Sequence, residues 1–284
     1  RMDLCTYHSH CTFCDGKAPA EEFVKAAIEA GFHSYGVSSH SPLPFDTRWS
    51  LSKGDVEAYL REMERLKKQY AGQIELYVGL EIDYLNDGWG PASDYFQRMP
   101  LDYRIGSVHL VTNGETGEMM DMDGSFDDFR ENFRNVYHDD LKHLVRDYFR
   151  SSARMVELGG FDFVAHLDKI SMNGSLVEPM LTEQAWYNEL LREYFQLIAE
   201  KGVMVEVNTK AYTKKGLMFP NVKYFKWLKE LNIPVMVNSD AHLPQLVNDN
   251  RELAFRLLRD AGIKSTMRLH RGVWEEVPMS EIKN

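Results

Sequence analysis

No stretch of 18 apolar residues occurs in the 284-residue chain, so no membrane-spanning helix is expected. Its start lacks the basic, then apolar, pattern of a secretion signal, which makes the cytoplasm the default location. Internal repeats, low-complexity tracts and Pro/Gly-rich linkers are also missing, and a single domain over 1–284 is expected. Cysteine is scarce. The three present, Cys5, Cys11 and Cys14, crowd into one short segment, which excludes a disulfide framework. Cys11-Thr-Phe-Cys14 spells CxxC, but a zinc ribbon needs a second pair and the chain has none. Positive charge is in deficit as well. A formal net charge of −10 argues against a nucleic-acid-binding surface. It leaves room for a small phosphorylated substrate, because bound cations reverse the sign of a pocket locally.

What is present is an alternation of short apolar runs with amphipathic stretches, the pattern of an α/β chain with mostly parallel strands. Seven runs read as strands: 2–8, 34–40, 74–82, 103–109, 161–166, 203–208 and 234–240. Helices are expected between them over 18–31, 53–70, 181–200, 222–231 and 251–261, with a long one over 126–158, broken near its middle. The order predicts a (β/α)7 barrel, in which the active site sits at the C-terminal ends of the strands.

The polar residues fall at those ends. His8 and His10 are two apart, and on a strand residues i and i+2 face the same side. Asp15 follows five residues later. His40 ends the second run, Glu81 lies near the end of the third, and His109 and His166 end the fourth and fifth. Asp240 ends the seventh, with His242 just beyond. Only the sixth run ends without a usual ligand, at Asn208. A strand end that merely happens to be polar explains one histidine pair, not six strand ends of seven. One tetrahedral zinc takes four protein ligands at most, so nine side chains imply two or three divalent ions, of Zn, Mn or Fe. The other histidines, His33, His138, His143 and His270, are expected outside the site, and Asp83, Asp87 and Asp121 are expected to be solvated loop carboxylates.

The ordered set His8/His10, "SSH" (His40), "GLE" (Glu81), "GSVH" (His109), "VAHLD" (His166) and "SDAH" (Asp240, His242) resembles the polymerase and histidinol phosphatase superfamily. The likeness covers nearly the whole chain. "SSHSPLPF", "LDYRIGSVH" and "EVNTKAYTKKG" are similar to its histidinol-phosphate phosphatase branch, which acts in histidine biosynthesis. The resemblance implies a distorted (β/α)7 barrel with a trinuclear centre. It assigns His8, His10, Glu81 and Asp240 to one metal, the bridging Glu81 with His109 and His166 to a second, and Asp15, His40 and His242 to a third. Where relatives often carry an arginine after the Asn-Thr of the sixth strand, this chain offers Lys210, Lys214 and Lys215.

The implied reaction is hydrolysis of L-histidinol phosphate to L-histidinol and phosphate by a metal-bridging hydroxide. Three divalent ions against three carboxylates leave an inner shell of about +3, a trap for a phosphomonoester dianion. Glu81, Asp240 and His242 are the expected catalytic groups. Lys210, Lys214, Lys215 or Arg104 would contact the phosphate, with Trp49, Asp46 or Tyr212 receiving the leaving group. An amidohydrolase-like hydrolase, a nuclease of the same superfamily and a non-catalytic metal-binding module are the rival readings.

Overall fold

In the computed structural model, which describes residues 4–279, seven strands form one parallel sheet in sequential order. They are β1 (Cys5–Thr6), β2 (Ser34–His40), β3 (Glu75–Asp83), β4 (Tyr103–Ser107), β5 (Phe163–Val164), β6 (Met204–Asn208) and β7 (Val235–Asn238). The sheet closes on itself. Ser9 bridges Ala241 in parallel, the His10 amide donates to the Ala241 carbonyl at 2.9 Å, and the Tyr7 amide donates to Asn238 Oδ1 at 3.0 Å. The fully buried Arg251 ties the same seam from outside, donating to the carbonyls of Cys5 and Val237. Closure by bridge and side chain, in place of a full ladder, is the distortion of this barrel. Met2 and Asp3 of the expected first strand lie outside the described residues.

Alternation along the strands separates two cores. On β3, Leu76, Val78, Leu80 and Ile82 pack outward among Phe23, Val24 and Ala27 of α1 (Ala20–Glu29) and Tyr59, Met63 and Leu66 of α2 (Val56–Gln69). Those helix positions recur at three- and four-residue spacing, as one buried stripe requires. The alternate residues Tyr77, Gly79, Glu81 and Asp83 face the barrel interior. There Tyr103 fills the space above Gly36 and Gly79, where an added Cβ would lie 2.3–2.9 Å from its hydroxyl and ring atoms.

The expected long helix is two: α3 (Phe126–Tyr137) and α4 (Leu141–Leu158). The break falls at His138 and Asp139, which both take positive φ, and Asp140 caps α4 through the His143 amide. Later helices complete the ring, α5 (Ile170–Val177), α6 (Ala185–Lys201) and α7 (Arg251–Asp260), with the shorter Phe225–Glu230 between β6 and β7. Two hairpins were not expected. One, Leu110–Thr112 with Met119–Asp121, stands beside the barrel mouth. The other, Ser265–His270 with Val273–Pro278, stoppers the opposite end, where Trp274 meets Tyr7 edge-on at 5.2 Å and the Leu269 amide donates to the Tyr7 hydroxyl. Both have alternation too short or too polar to stand out from loop. Among the described residues, no helix is long and apolar enough to cross a membrane.

Gly36→Ala is expected to destabilise the fold by about 1–3 kcal/mol, because Tyr103 is enclosed and cannot yield. An unchanged denaturant midpoint for the metal-free variant would contradict this packing.

Candidate metal centre

Nine side chains expected from the sequence converge at the C-terminal mouth. His8, His10, Glu81 and Asp240 offer donor atoms within 4.8 Å of one another, as do Glu81, His109 and His166, and likewise His10, Asp15, His40 and His242. Glu81 is the hub. Its Oε1 lies 2.8 Å from His8 Nε2, 3.2 Å from His10 Nε2 and 3.4 Å from His40 Nδ1. Its Oε2 lies 3.0 Å from His166 Nε2 and 3.4 Å from His109 Nε2. Asp240 Oδ1 sits 2.9 Å from His10 Nε2. Asp15 reaches His242 Nε2 at 3.2 Å and His40 Nε2 at 3.5 Å. Its loop doubles back so tightly that a Cβ on Gly16 would lie 2.3 Å from the Cys11 nitrogen. Two ligand candidates, His166 and Asp240, also hold positive φ, strain of the kind that concentrates at functional sites.

Whether this nest fits metal ions can be read from its unsatisfied atoms. His10 Nε2, Asp15 Oδ1, His40 Nδ1, His166 Nδ1, Asp240 Oδ1 and His242 Nε2 are all buried without a hydrogen-bond partner. Buried polar atoms are almost always paired, so orphans gathered on one set of His and Asp side chains suit the donors of a coordination shell. The set fits divalent ions.

Electrostatics agree. Burial alone would lower the His8 pKa, but Asp240, Glu206 and Glu81 overcome it and push it up to about 10. Burial opposes ionisation of Glu81 too, yet His8, His40 and His109 hold it well below the usual carboxylate range. Asp240 is depressed in the same way, against burial, by His8 and Lys210.

Several working parts were missed from sequence. Glu206, fully buried in the apolar run "VMVEVN", takes His8 Nδ1 at 2.7 Å, the His166 amide at 3.0 Å and the Asn238 amide group at 2.9 Å. The strand thought to bring no metal-related carboxylate therefore orients two ligands and the barrel seam. A carboxylate in an otherwise apolar strand was its signal. Asp83 is a correction: it is buried, not a solvated loop residue, and its Oδ1 receives His109 Nδ1 at 2.7 Å. It follows Glu81 by two on the same strand, the spacing that paired His8 with His10. Partners of this kind fix the histidine tautomer, leaving the other ring nitrogen for metal. Asp121 is half-buried at a hairpin end and also departs from the expectation; Asp87 is exposed, as expected. Lys169, three residues after His166, is buried with its Nζ 2.7 Å from Asp123.

The expected substrate contacts scatter. Lys210 is exposed at the mouth, close enough to Asp240, His242 and Asp123 to bias each toward its unprotonated form. Lys214 and Lys215 are exposed on the short helix Tyr212–Lys215. Arg104 lies on the helix-facing side of β4, its guanidinium donating to the carbonyls of Phe96, Gln97 and Met99. Trp49 stands edge-on to His40 at 5.0 Å, whereas Asp46 lines a separate surface cleft. Of the four remaining histidines, His33 and His138 are exposed, His143 faces Asp147 and His270 faces Glu75.

Glu206→Gln is expected to weaken metal binding about 10- to 100-fold, the usual effect of losing an orienting partner. Competition with a chelator measures it, and wild-type affinity would contradict the role. Metal uptake should also release protons. His8, with its pKa raised from 6.5 to about 10, keeps a proton at pH 8 when metal-free, and that release should fade as pH rises through 10. Calorimetric titration in buffers of different ionisation heat reads it; no proton release at pH 8 would refute the raised pKa.

The sequence model of the PHP domain matches residues 6–210. The probable histidinol-phosphatase of Deinococcus radiodurans is 26% identical over 279 residues, covering 94% of this chain and 97% of that protein. The histidinol-phosphatase of Bacillus subtilis is 24% identical over 262 residues, covering 83% and 92%. The crystal structure of histidinol phosphate phosphatase from Lactococcus lactis, complexed with Zn, L-histidinol and phosphate, superposes with a TM-score of 0.74 at 18% identity. That superposition covers 96% of this chain and 99% of the other. With the barrel, the ordered ligand set and this match over most of its length, the chain belongs to the PHP domain family.

Proposed function

We propose that the chain is a metal-dependent phosphomonoesterase that hydrolyses L-histidinol phosphate to L-histidinol and phosphate. In this reading one barrel domain holds two to three ions of Zn, Mn or Fe. The observation that carries it is the nest of nine convergent donors, orphaned atoms included, with two ammonium groups at its rim. The relatives' activity and the ligands of the Lactococcus lactis structure support the same substrate. A net charge of −10 favours a small phosphate ester over nucleic acid.

Bound divalent ions would supply Lewis acidity and lower the pKa of a water molecule toward about 7. The chain's own residues supply the rest. His8, His10, Glu81 and Asp240 would hold one ion, Glu81, His109 and His166 another, and Asp15, His40 and His242 a third. Asp240, kept ionised by its neighbours, is placed to take the proton of the attacking water and return it to the leaving alkoxide. His242 donates its Nδ1 proton to the Asp240 carbonyl at 3.0 Å, which aims Nε2 into the site. For the phosphate oxygens we assign Lys169 and Lys210 in place of the wider expected set. The charge of Lys169 is felt by His166 and His109, and its own pKa is raised, against burial, by Asp123 and Asp240. Held by a single carboxylate, its ammonium keeps donors for a substrate.

A phosphate-release screen of metal-reconstituted protein on small phosphomonoesters, L-histidinol phosphate included, tests the reading. Phosphate should appear with two or three ions bound per chain by elemental analysis. Release of ammonia or a carboxylate from amide substrates, or cleavage of an oligonucleotide, would favour the rival hydrolases instead. Lys169→Ala should lower kcat/KM by roughly 10- to 1000-fold, equivalent to about 1.4–4 kcal/mol of transition-state stabilisation, with metal content unchanged. Wild-type kcat/KM in that variant would remove Lys169 from the phosphate site.

A further inference from the structure

A cavity of about 210 Å³ opens onto the metal centre, and its walls differ in kind. One wall is Asp15, His40 and His109, already assigned to metal ions. The other is Trp49, Asp121, Asp123 and Gly124, drawn from the loop after β2 and from the end of the mouth hairpin. Asp123 is committed to Lys169 at 2.7 Å. Among the described residues Asp121 receives only the Asp123 amide, at 2.8 Å, and no lysine or arginine lines the cavity beside it. Burial and the neighbouring Asp123 and Asp83 all oppose its negative charge. An acid held this way at the wall of a substrate cavity gains most from a cation brought by the ligand. Trp49 adds an indole face, half-exposed and fixed against His40 and His109 at 5.0 and 5.7 Å. Indole is the strongest aromatic partner for an organic cation and stacks on a planar heterocycle.

We infer that Asp121 and Trp49 form the leaving-group pocket and select phosphate esters of cationic alcohols. Asp121 pairs with the ammonium or imidazolium of the alcohol while Trp49 covers its apolar body. The inference rests on the phosphatase reading and deepens it: metal ions and lysines recognise the phosphate common to all such esters, and this wall recognises what is attached. It also gives the mouth hairpin a purpose. Leu110 opposite Asp121 and Thr112 opposite Met119 set a register that delivers Asp121 to the cavity.

The test compares L-histidinol phosphate with glycerol phosphate, an ester of a neutral alcohol, on metal-reconstituted full-length protein. Asp121→Asn should lower the ratio of kcat/KM between the two esters at least tenfold, and Asp121→Glu should recover part of it. Calorimetric affinity for L-histidinol, the free alcohol, should fall by a similar factor in Asp121→Asn. Trp49→Ala should lower the ratio in the same direction, and it decides the matter if Asp121→Asn does not fold or loses metal. A ratio within twofold of wild type in folded, metal-replete variants overturns the pocket while leaving the phosphatase reading intact. No phosphate release by wild type from either ester overturns both.

Discussion

Glu81 is the residue around which the structure is organised. Its carboxylate is buried among five histidines, His8, His10, His40, His109 and His166, that arrive from four different strand ends. Five imidazoles crowd the two oxygens of one carboxylate, and a network of this composition leaves buried polar atoms without a hydrogen-bond partner. The orphaned atoms record that conflict. Divalent cations would resolve it by taking the inward lone pairs as ligands. The barrel supplies the geometry: parallel strands in register bring their last inward residues to one level, so residues far apart in sequence meet without any local loop being long.

The same constraint explains the outer layer. A histidine that gives one nitrogen to a metal must have the other fixed, and here Glu206 fixes His8, Asp83 fixes His109 and the Asp240 carbonyl fixes His242. Glu206 reaches further, through Asn238, to the seam where the last strand meets the first. Ligand orientation and barrel closure therefore share one buried carboxylate.

Most of the inner layer was legible in the sequence because strand periodicity converts spacing into direction. His8 and His10, two apart, need no structure to be placed together, and Asp240 with His242 repeats the device. Asp83 obeys the same rule against Glu81 but was lost when the strand was ended one residue early, at Ile82, where β3 runs on to Asp83. Glu206 was hidden differently. It sits two residues before the strand end, so attention to the ends passed over it. The helices were read well where one face is charged, as in α2, and poorly where no charged residue marks the period, as in α5. Both hairpins escaped, since short antiparallel ribbons owe their stability to what they pack against and carry little pattern of their own.

For the candidate phosphate contacts, burial separates cations that residue type alone does not. Four cations were candidates in the sequence, with a structural role equally open for Arg104; its donors go to the carbonyls ending the short helix Asp94–Gln97, and Lys214 and Lys215 sit out in solvent. Lys169 was overlooked because it follows a ligand strand with no basic neighbours to draw notice. Burial distinguishes it: an ammonium kept charged in a dry site by Asp123 interacts with an incoming dianion far more strongly than a hydrated one can. It also divides the mouth. Among the described residues Lys169 is the one buried lysine, and its pairing with Asp123 leaves Asp121, two residues earlier, as the carboxylate on that wall with no cation beside it. In the proposed reading this ion pair sorts the site into a cationic half for phosphate and an anionic, aromatic half for whatever the phosphate carries.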